Sequence, residues 1–257
     1  MTEPLVSICC ITYNHEEYIR DAIDSFLMQK TDFDYEICIG EDESNDGTRK
    51  ICQEYAEKHP NKIKLFLRSR KDVIYINGHA TGRYNFIETL KECKGKYIAT
   101  CEGDDYWTDP LKLQKQVDFL EENPCYTGIV TNGLIKNDIC NSLTRHINDN
   151  YQDIYRFKDI LNGNPFLTST VLYRRENFNL LEKYISNAIA GDYVIHLLAL
   201  SRGPVRYIND VTAIYRIHEK GIWSSQTREN MLQSSVKNAG FINTLILKKY
   251  YHKKIFH

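Results

Sequence analysis

The chain has 257 residues, of which 42% are hydrophobic and 26% are charged, and its formal net charge is −1. These values are ordinary for a soluble globular protein, and the near-zero charge argues against a broad basic surface for nucleic acid. No apolar run is long enough to span a bilayer, and the N-terminal "MTEPLVSICCIT" lacks the pattern of a signal peptide. We therefore expect a cytoplasmic protein with no nucleic acid partner.

In the first half of the chain, short apolar runs alternate with amphipathic stretches. Strands are predicted at 5–12, 35–41, 62–67 and 96–102, and helices at 15–29, 47–59, about 82–93 and 110–123. This alternation is typical of an α/β fold with one mainly parallel sheet and helices on both faces.

The second half is less regular. Short strands are expected near 126–132, 168–174 and 205–216, with a helix at about 191–201. No linker or repeat interrupts the pattern, so we expect one domain over 1–222 and a helical tail over 223–257. The tail ends basic, as "LILKKYYHKKIFH", and is either a membrane-surface contact or a soluble terminal helix.

The eight cysteines predict reduced thiols rather than a disulfide framework. Cys9, Cys10, Cys38 and Cys101 lie in apolar runs, where a free cysteine packs as a small hydrophobe. The absence of a CxxC pair disfavours a structural zinc site. Reduced thiols are typical of cytosolic proteins.

Polar clusters follow three of the predicted strands. Thr12, Tyr13 and Asn14 follow the first strand, "EDESNDGT" ends the second, and "EGDDYW" ends the fourth. Ligands of open parallel sheets bind where the carboxyl ends of the strands meet. Three polar strand ends at one edge therefore favour a binding site over three solvated loops.

The segment "DESNDGT" also resembles the opening of an EF-hand calcium loop. Asp42, Ser44 and Asp46 fit that opening, but Gln53 occupies the final ligand position. A strand rather than a helix precedes the loop, so the calcium interpretation fails. We expect Ser44 and Asp46 to cap the following helix, which leaves Asp42 to meet a ligand.

The segment "EGDD" crowds Glu102, Asp104 and Asp105 into four positions, where carboxylates raise one another's pKa. A divalent cation, Mg²⁺ or Mn²⁺, would offset this repulsion and would also bind phosphate oxygens. No GxxxxGK[ST] motif occurs and no GxGxxG follows the first strand, so P-loop and Rossmann dehydrogenase chemistry are excluded.

Four segments together resemble family 2 glycosyltransferases with the GT-A fold. They are "VSICCITYNHEEYIRDAIDSFLMQ", "EICIGEDESNDGT", "GKYIATCEGDDYW" and "YRIHEKGIWSS", in the family's order over most of the first 225 residues. The resemblance implies a nucleotide-sugar-binding half at 1–107 and an acceptor half at 108–222. It also implies metal-dependent, inverting transfer from a nucleotide-diphospho-sugar, in bacterial surface glycan synthesis. A UDP-sugar is the expected donor, and a glycan or lipid-linked molecule is the expected acceptor.

The resemblance assigns donor-binding roles to the strand ends. Thr12 and Tyr13, with Asn14 beside them, line the nucleoside pocket, and Asp42 hydrogen-bonds the base. Glu41 stands where the family often has aspartate, as a substitute or only as a neighbour.

"EGDD" is similar to the family's DxD motif, with Glu102 in place of the first aspartate. The resemblance implies that Asp104 lies near the ribose or donor sugar and that Asp105 is a metal ligand. It leaves the division of roles among the three carboxylates open. Arg83 either faces the diphosphate or donor sugar or makes a surface salt bridge, and Trp107 is either a stacking surface for a sugar or a core residue.

"AGDYVIHLLAL" resembles the segment that supplies the family's catalytic base. Gly191 stands where the first acid of a pair often sits, so Asp192 is the expected base, with a helix N-cap as the alternative. In "YRIHEKGIWSS", His218 ligates the metal, contacts the diphosphate or is structural.

Two other functions stay open at this point. A sugar nucleotidyltransferase usually has a glycine- and basic-rich loop after the first strand, which "TYNHEEYIRD" lacks. A non-catalytic sugar-nucleotide-binding protein remains an alternative because Gly191 replaces the first acid.

Overall fold

The computed structural model describes residues 3–76, 78–148, 151–161, 163–185, 188, 191–219 and 221. The predicted tail at 223–257 and the end of the late loop lie outside these residues. The helices are α1 Ile19–Leu27, α2 Thr48–Lys58, α3 Arg83–Glu92, α4 Lys112–Glu122, α5 Leu181–Ile185 and α6 Gly191–Leu200. No helix in the described ranges has both the length and the apolarity to cross a bilayer.

Most of the strands belong to one sheet. They are β1 Val6–Thr12, β2 Tyr35–Glu41, β3 Ile63–Leu67, β4 Ile74–Ile76, β5 His79–Thr81, β6 Tyr97–Thr100, β7 Tyr106–Trp107, β8 Gly128–Asn137, β9 Ser142–Arg145, β10 Ile154–Tyr155, β11 Val171–Arg174 and β12 Val205–Ile217. The order across the large sheet is β10-β12-β8-β11-β6-β1-β2-β3, while β7 pairs with β12, β9 pairs with β8, and β4 and β5 form a separate hairpin.

The first half of the sheet is parallel, because β1 pairs in parallel with β2 and β6, and β2 with β3. Every residue of β2 is buried, as expected for a parallel strand covered on both faces. In the second half, β11 runs antiparallel to β6 and β8, and the long strand β12 runs parallel to β8. The predicted α/β class is confirmed, with antiparallel strands added beyond β6.

Two hydrophobic clusters form the core on opposite faces of the sheet. One contains Ile19, Phe26, Ile51 and Leu113, so α1, α2 and α4 cover that face. The other contains residues of α3, α5 and α6, among them Phe86, Leu181, Tyr193, Val194 and Leu197. Within β1, Cys9 belongs to one cluster and Cys10 to the other, because successive side chains of a strand point to opposite faces. All eight cysteines are free, as the sequence predicted.

Trp107 lies in the core and is 1% exposed. Its indole N–H donates to the Ser169 carbonyl at 2.8 Å, and its ring packs against Phe26 with ring centres 4.9 Å apart. Of the two interpretations of this residue, the structure supports the core one, because its ring is not accessible to a sugar.

Lys112, in the first turn of α4, is also fully buried. Its ammonium nitrogen is 4.3 Å from the centre of the Trp107 ring and 2.8 Å from the Gln116 Oε1 atom, to which it donates. Burial lowers the pKa of Lys112 to about 7, and the charge of Asp109 opposes this fall only in part.

We predict that Lys112→Met changes the pH dependence of stability. A lysine whose folded pKa lies below its unfolded pKa destabilises the fold most when it is protonated, so wild-type stability rises from pH 7 toward pH 10. Between pH 7.5 and 9.5 the wild type should gain about 2 kcal/mol relative to Lys112→Met in urea unfolding. Lys115→Met, on the exposed side of the same helix, should behave like the wild type. Parallel pH dependences for the wild type and Lys112→Met would contradict the assignment.

Candidate active site

The carboxyl ends of β1, β2 and β6 meet at one edge of the sheet, as predicted. Thr12 pairs with Glu41 in register, and its carbonyl accepts the Asp42 N–H at 3.1 Å. The turn after β6 approaches β1 closely, since the Gly103 N–H donates to the Ile11 carbonyl at 2.9 Å. A Cβ atom at position 103 would lie 2.6 Å from Thr12 Oγ1, so only glycine allows this approach.

Tyr13, Asp42 and Arg70 form a cluster at the β2 side of this edge. Arg70 Nη1 donates to Asp42 Oδ2 at 2.7 Å, and its guanidinium carbon lies 3.9 Å from the centre of the Tyr13 ring. Burial raises the pKa of Asp42 to about 6 while the Arg70 charge opposes the rise. A ring, a planar cation and a carboxylate in contact offer both stacking and hydrogen bonds to a planar ligand.

Glu41 and Asn14 are engaged in the loops around this cluster. The fully buried Glu41 carboxylate accepts the Ser44 N–H at 2.7 Å and pairs with Arg49. Asn14 has a φ of 55° and its side-chain oxygen accepts the Asn45 N–H at 3.0 Å. Both side chains therefore hold protein backbone in this structure, and their contact with substrate stays a prediction.

Of the two predicted helix caps, Asp46 meets the start of α2, whereas the Ser44 hydroxyl bonds a different loop, so the prediction for Ser44 is wrong. Asp46 Oδ1 accepts the Thr48 N–H at 2.9 Å at the start of α2. Ser44 Oγ accepts the Asn14 N–H at 2.9 Å, which fixes the loop after β1.

Asp104 lies between two histidines. Its Oδ2 atom is 3.2 Å from His218 Nε2 and 3.7 Å from His15 Nε2. Burial works against ionisation of this carboxyl, but His15 and His218 outweigh it and hold the pKa of Asp104 below its usual value. Asp104 is therefore a carboxylate at neutral pH, and it keeps 16% of its side chain exposed.

Asp105 faces the protein interior and is 3% exposed. Its Oδ1 atom accepts the backbone N–H of Arg216 at 2.9 Å, and burial together with the Asp104 charge raises its pKa well above the usual value. The sequence paired Asp105 with His218 as metal ligands, whereas the structure pairs Asp104 with His218. The physical reason is that successive side chains of this turn diverge and Asp105 satisfies an N–H group of β12.

The Glu102 side chain is exposed to solvent on one side and faces protein on the other. The surrounding protein raises the pKa of Glu102 to about 8, and the charges of Asp104 and Asp192 add to the rise. Contacts link this acidic turn to the start of α6. Gly191 lies beside Arg83, and Gly82, which precedes Arg83, lies against Ile11, whose carbonyl accepts the Gly103 N–H.

Asp192 occupies the first turn of α6. Its Oδ2 atom accepts a hydrogen bond from Asn164 Nδ2 at 2.9 Å. Burial raises the pKa of Asp192, and hydrogen bonds from the Tyr193 N–H and Asn164 oppose the rise, as does the charge of Arg83.

Arg83 is 7% exposed, so the predicted surface salt bridge is wrong. Its Nη1 atom donates to the Ile185 carbonyl at 3.1 Å, just before α6. A Cβ atom at position 191 would lie 3.7 Å from Arg83 Nε. A side chain at Gly191 would thus begin in contact with Arg83 and Ile185.

Two side chains at the acidic turn offer donor atoms to a divalent cation. In the described ranges no three His, Cys, Asp or Glu side chains converge as a preformed metal site. Asp104 and His218 offer one carboxylate oxygen and one imidazole nitrogen close together. Cations such as Mg²⁺ are commonly held by one or two protein ligands and completed by substrate phosphates, so this pair fits a cation that binds with a diphosphate.

The sequence analysis missed His15, Arg70 and Arg216. His15 lies within the quoted "TYNH", and Arg216 lies near the end of β12, two residues before His218, so both had a spacing signal. The guanidinium of Arg216 pairs with Asp21 and donates to the Asp104 carbonyl at 2.9 Å. Arg70 comes from the turn after β3 and no motif marks it.

Two proteins of known sequence are similar to this chain over most of its length. A WfaP protein of Escherichia coli, named UDP-Glc:alpha-D-GlcNAc-diphosphoundecaprenol beta-1,3-glucosyltransferase, is 32% identical over 237 residues, which cover 90% of this chain and 85% of WfaP. The protein Rv1520 of Mycobacterium tuberculosis is 34% identical over 251 residues. That match covers 93% of this chain and 66% of Rv1520, so the chain spans about two thirds of that relative.

Solved structures share the fold. TarS of S. aureus, in complex with UDP-GlcNAc, matches with a TM-score of 0.65 and 19% identity, over 93% of this chain and 66% of TarS 1-349. Mannosyltransferase PcManGT from Pyrobaculum calidifontis, in complex with GDP-Man and Mn²⁺, matches with a TM-score of 0.60 and 16% identity, over 86% of this chain and 59% of that chain. The sequence profile of Glycosyl transferase family 2 matches residues 7–181. The chain therefore belongs to glycosyl transferase family 2 and carries a glycosyltransferase domain of the GT-A fold.

Proposed function

We propose that this chain transfers a sugar from a UDP-sugar to an acceptor hydroxyl, with a divalent cation and with inversion at the anomeric carbon. The observation that carries the proposal is that contacts through Arg83 and Ile11 link the start of α6, which carries Asp192, to the acidic turn. A direct displacement needs a base on one side of the reacting carbon and a diphosphate-binding group on the other.

The donor nucleoside binds at the cluster of Tyr13, Asp42 and Arg70. The Asp42 carboxylate accepts a hydrogen bond from the base, and the Tyr13 ring offers it a flat apolar surface. The name of WfaP contains UDP-Glc, and the TarS structure is a complex with UDP-GlcNAc, which supports UDP as the nucleotide. Thr12 Oγ1, buried beside the acidic turn without a hydrogen-bond partner, is a further group for the nucleoside.

Asp104 and His218 would hold Mn²⁺ or Mg²⁺ together with the diphosphate of the donor. When bound, such a cation stabilises the negative charge that develops on the leaving diphosphate. PcManGT, whose structure contains Mn²⁺ and GDP-Man, supports the cation in the same fold. His15, on the other side of Asp104, keeps that carboxylate ionised and ready to bind.

Asp192 acts as the general base. It accepts the proton of the acceptor hydroxyl while that oxygen bonds to the anomeric carbon and the bond to the diphosphate oxygen breaks. The products are the glycosylated acceptor and the nucleoside diphosphate, and a single displacement inverts the configuration. Burial raises the pKa of Asp192 toward the working pH, which favours proton transfer from a hydroxyl.

The acceptor is a glycan or a lipid-linked saccharide. The name of WfaP includes a diphosphoundecaprenol-linked acceptor, and WfaP aligns with 90% of this chain. A role in surface glycan synthesis follows from this relative and from the putative teichuronic acid glycosyltransferase TuaG of Bacillus subtilis, which is 34% identical over 123 residues. A non-catalytic sugar-nucleotide-binding protein is the second candidate, because Gly191 replaces an acid beside Asp192.

Asp192→Asn tests the proposed base. We expect transfer and donor hydrolysis to fall by about two to four orders of magnitude, because the amide cannot accept the proton. The assay measures nucleoside diphosphate released from UDP-Glc, UDP-GlcNAc and GDP-Man with Mn²⁺, while calorimetry with UDP should give a Kd within about twofold of wild type.

Asp210→Asn is the matched control, because this half-exposed aspartate pairs only with Lys115 on the surface. It should leave turnover unchanged. Comparable turnover by Asp192→Asn would remove Asp192 from the mechanism. A wild-type chain that binds these donors but turns over none of them, with or without lipid-linked acceptor, would favour the non-catalytic alternative.

A further inference from the structure

Asn164 is held in one orientation beside Asp192. Its Nδ2 atom donates to Asp192 Oδ2 at 2.9 Å, while its Oδ1 atom accepts the Phe166 N–H at 3.0 Å. A flipped amide would point its oxygen at a carboxylate and its NH₂ group at an N–H donor, so both bonds would be lost. The two contacts together require the NH₂ end of the amide, and not its oxygen, to point at Asp192.

The loop that carries Asn164 is fastened to the helix that carries Asp192. Phe166 is 3% exposed, and its ring packs edge-on against His196 of α6, with ring centres 5.3 Å apart. The Pro165 carbonyl lies 3.1 Å from His146 Nε2, which holds the loop from the other side. The Asn164 amide and the Asp192 carboxylate therefore belong to one rigid arrangement.

We propose that Asn164 is a positioning residue for Asp192: it holds Oδ2, fixes the rotation of the carboxylate, and leaves Oδ1 to take the proton of the acceptor hydroxyl. This inference rests on the proposed role of Asp192 as general base. Asn164 itself contacts no reacting atom in this account. A third group usually orients a catalytic base by a hydrogen bond to the atom that does not take the proton.

Several groups act on Asp192, and Asn164 is the side chain that donates a hydrogen bond to it, beside the backbone N–H groups of Tyr193 and of Asp192 itself. The backbone N–H of Tyr193 donates from α6, Arg83 contributes its charge from α3, Glu102 faces it from the acidic turn, and Tyr215 faces it from β12. Burial raises the pKa of Asp192, whereas the Asn164 amide stabilises the ionised form. Removal of the amide donor should therefore raise that pKa further, with Arg83 and Tyr193 unchanged.

Two substitutions separate the donor from the loop contact. Asn164→Asp keeps an oxygen that accepts the Phe166 N–H but replaces the amide donor with a second carboxyl group. Asn164→Ala removes both contacts. Asn179→Ala is the matched control, since Asn179 is an exposed asparagine that follows β11 and does not bond Asp192.

The first measurement is a pH titration of the full-length chain by carbon-13 NMR of labelled aspartate carboxyls. The Asp192 signal is assigned by its absence in Asp192→Asn. The Asp192 pKa should rise by about one unit in Asn164→Ala, the size expected for loss of a hydrogen bond to a charged group. It should rise by more in Asn164→Asp, because two adjacent carboxylates do not both ionise readily. Asn179→Ala should titrate as the wild type does.

The second measurement is the pH dependence of kcat with UDP-Glc or UDP-GlcNAc and Mn²⁺. The acid limb should move up by about one pH unit in Asn164→Ala, with kcat below the limb reduced about tenfold. The Kd of UDP should stay within about twofold of wild type. A merely structural role would lower kcat equally at every pH and leave the limb in place.

An Asp192 pKa that is the same in the wild type, Asn164→Ala and Asn164→Asp would overturn the inference. The NMR comparison does not depend on turnover, so it stands apart from the proposed function. Full transfer by Asp192→Asn would overturn the proposed function, whatever the titration shows. Loss of transfer in Asp192→Asn together with an unmoved acid limb in Asn164→Ala would overturn the positioning role alone.

Discussion

The contact of β12 with the acidic turn is the constraint on which the site depends. Three carboxyl groups in four positions repel one another, and the structure separates them into three environments. Glu102 is exposed to solvent. Asp104 faces His15 and His218, whereas Asp105 points inward and accepts the Arg216 N–H. The end of β12 supplies the Arg216 N–H that Asp105 accepts and leads directly into His218, which meets Asp104.

This contact also joins the two halves of the domain. The Arg216 guanidinium pairs with Asp21 of α1 and donates to the Asp104 carbonyl, while the backbone of the same residue bonds Asp105. The strand reaches this position because it runs for thirteen residues beside β8. Its irregular register between Ile208 and Ala213 lies before the segment that meets the turn. The first half of the sheet and the segment beyond β6 are thus fixed relative to each other by one strand.

Hydrophobic patterning was sufficient to predict most of the elements and the edge of the sheet that carries the site, because buried parallel strands and amphipathic helices have distinct periods. The resemblance pointed to Asp192, which lies in the first turn of α6 with its carboxylate bonded to Asn164, and its role as base stays a prediction. Which of Asp104 and Asp105 faces His218 was not predictable, because the direction of each side chain in the turn depends on Arg216, more than a hundred residues away. Arg70 and Asn164 come from loops whose contacts across the sheet leave no mark in local spacing.

The most direct test of this account is calorimetric titration of UDP, with and without Mn²⁺, into Asp104→Asn and Asp105→Asn. The account predicts that Mn²⁺ tightens UDP binding to the wild type and that Asp104→Asn loses at least about tenfold of this gain. Asp105→Asn should keep the gain, because an amide oxygen still accepts the Arg216 N–H. The opposite pattern, in which Asp105→Asn loses the Mn²⁺ dependence and Asp104→Asn retains it, would contradict the account, as would a wild type whose UDP binding ignores Mn²⁺.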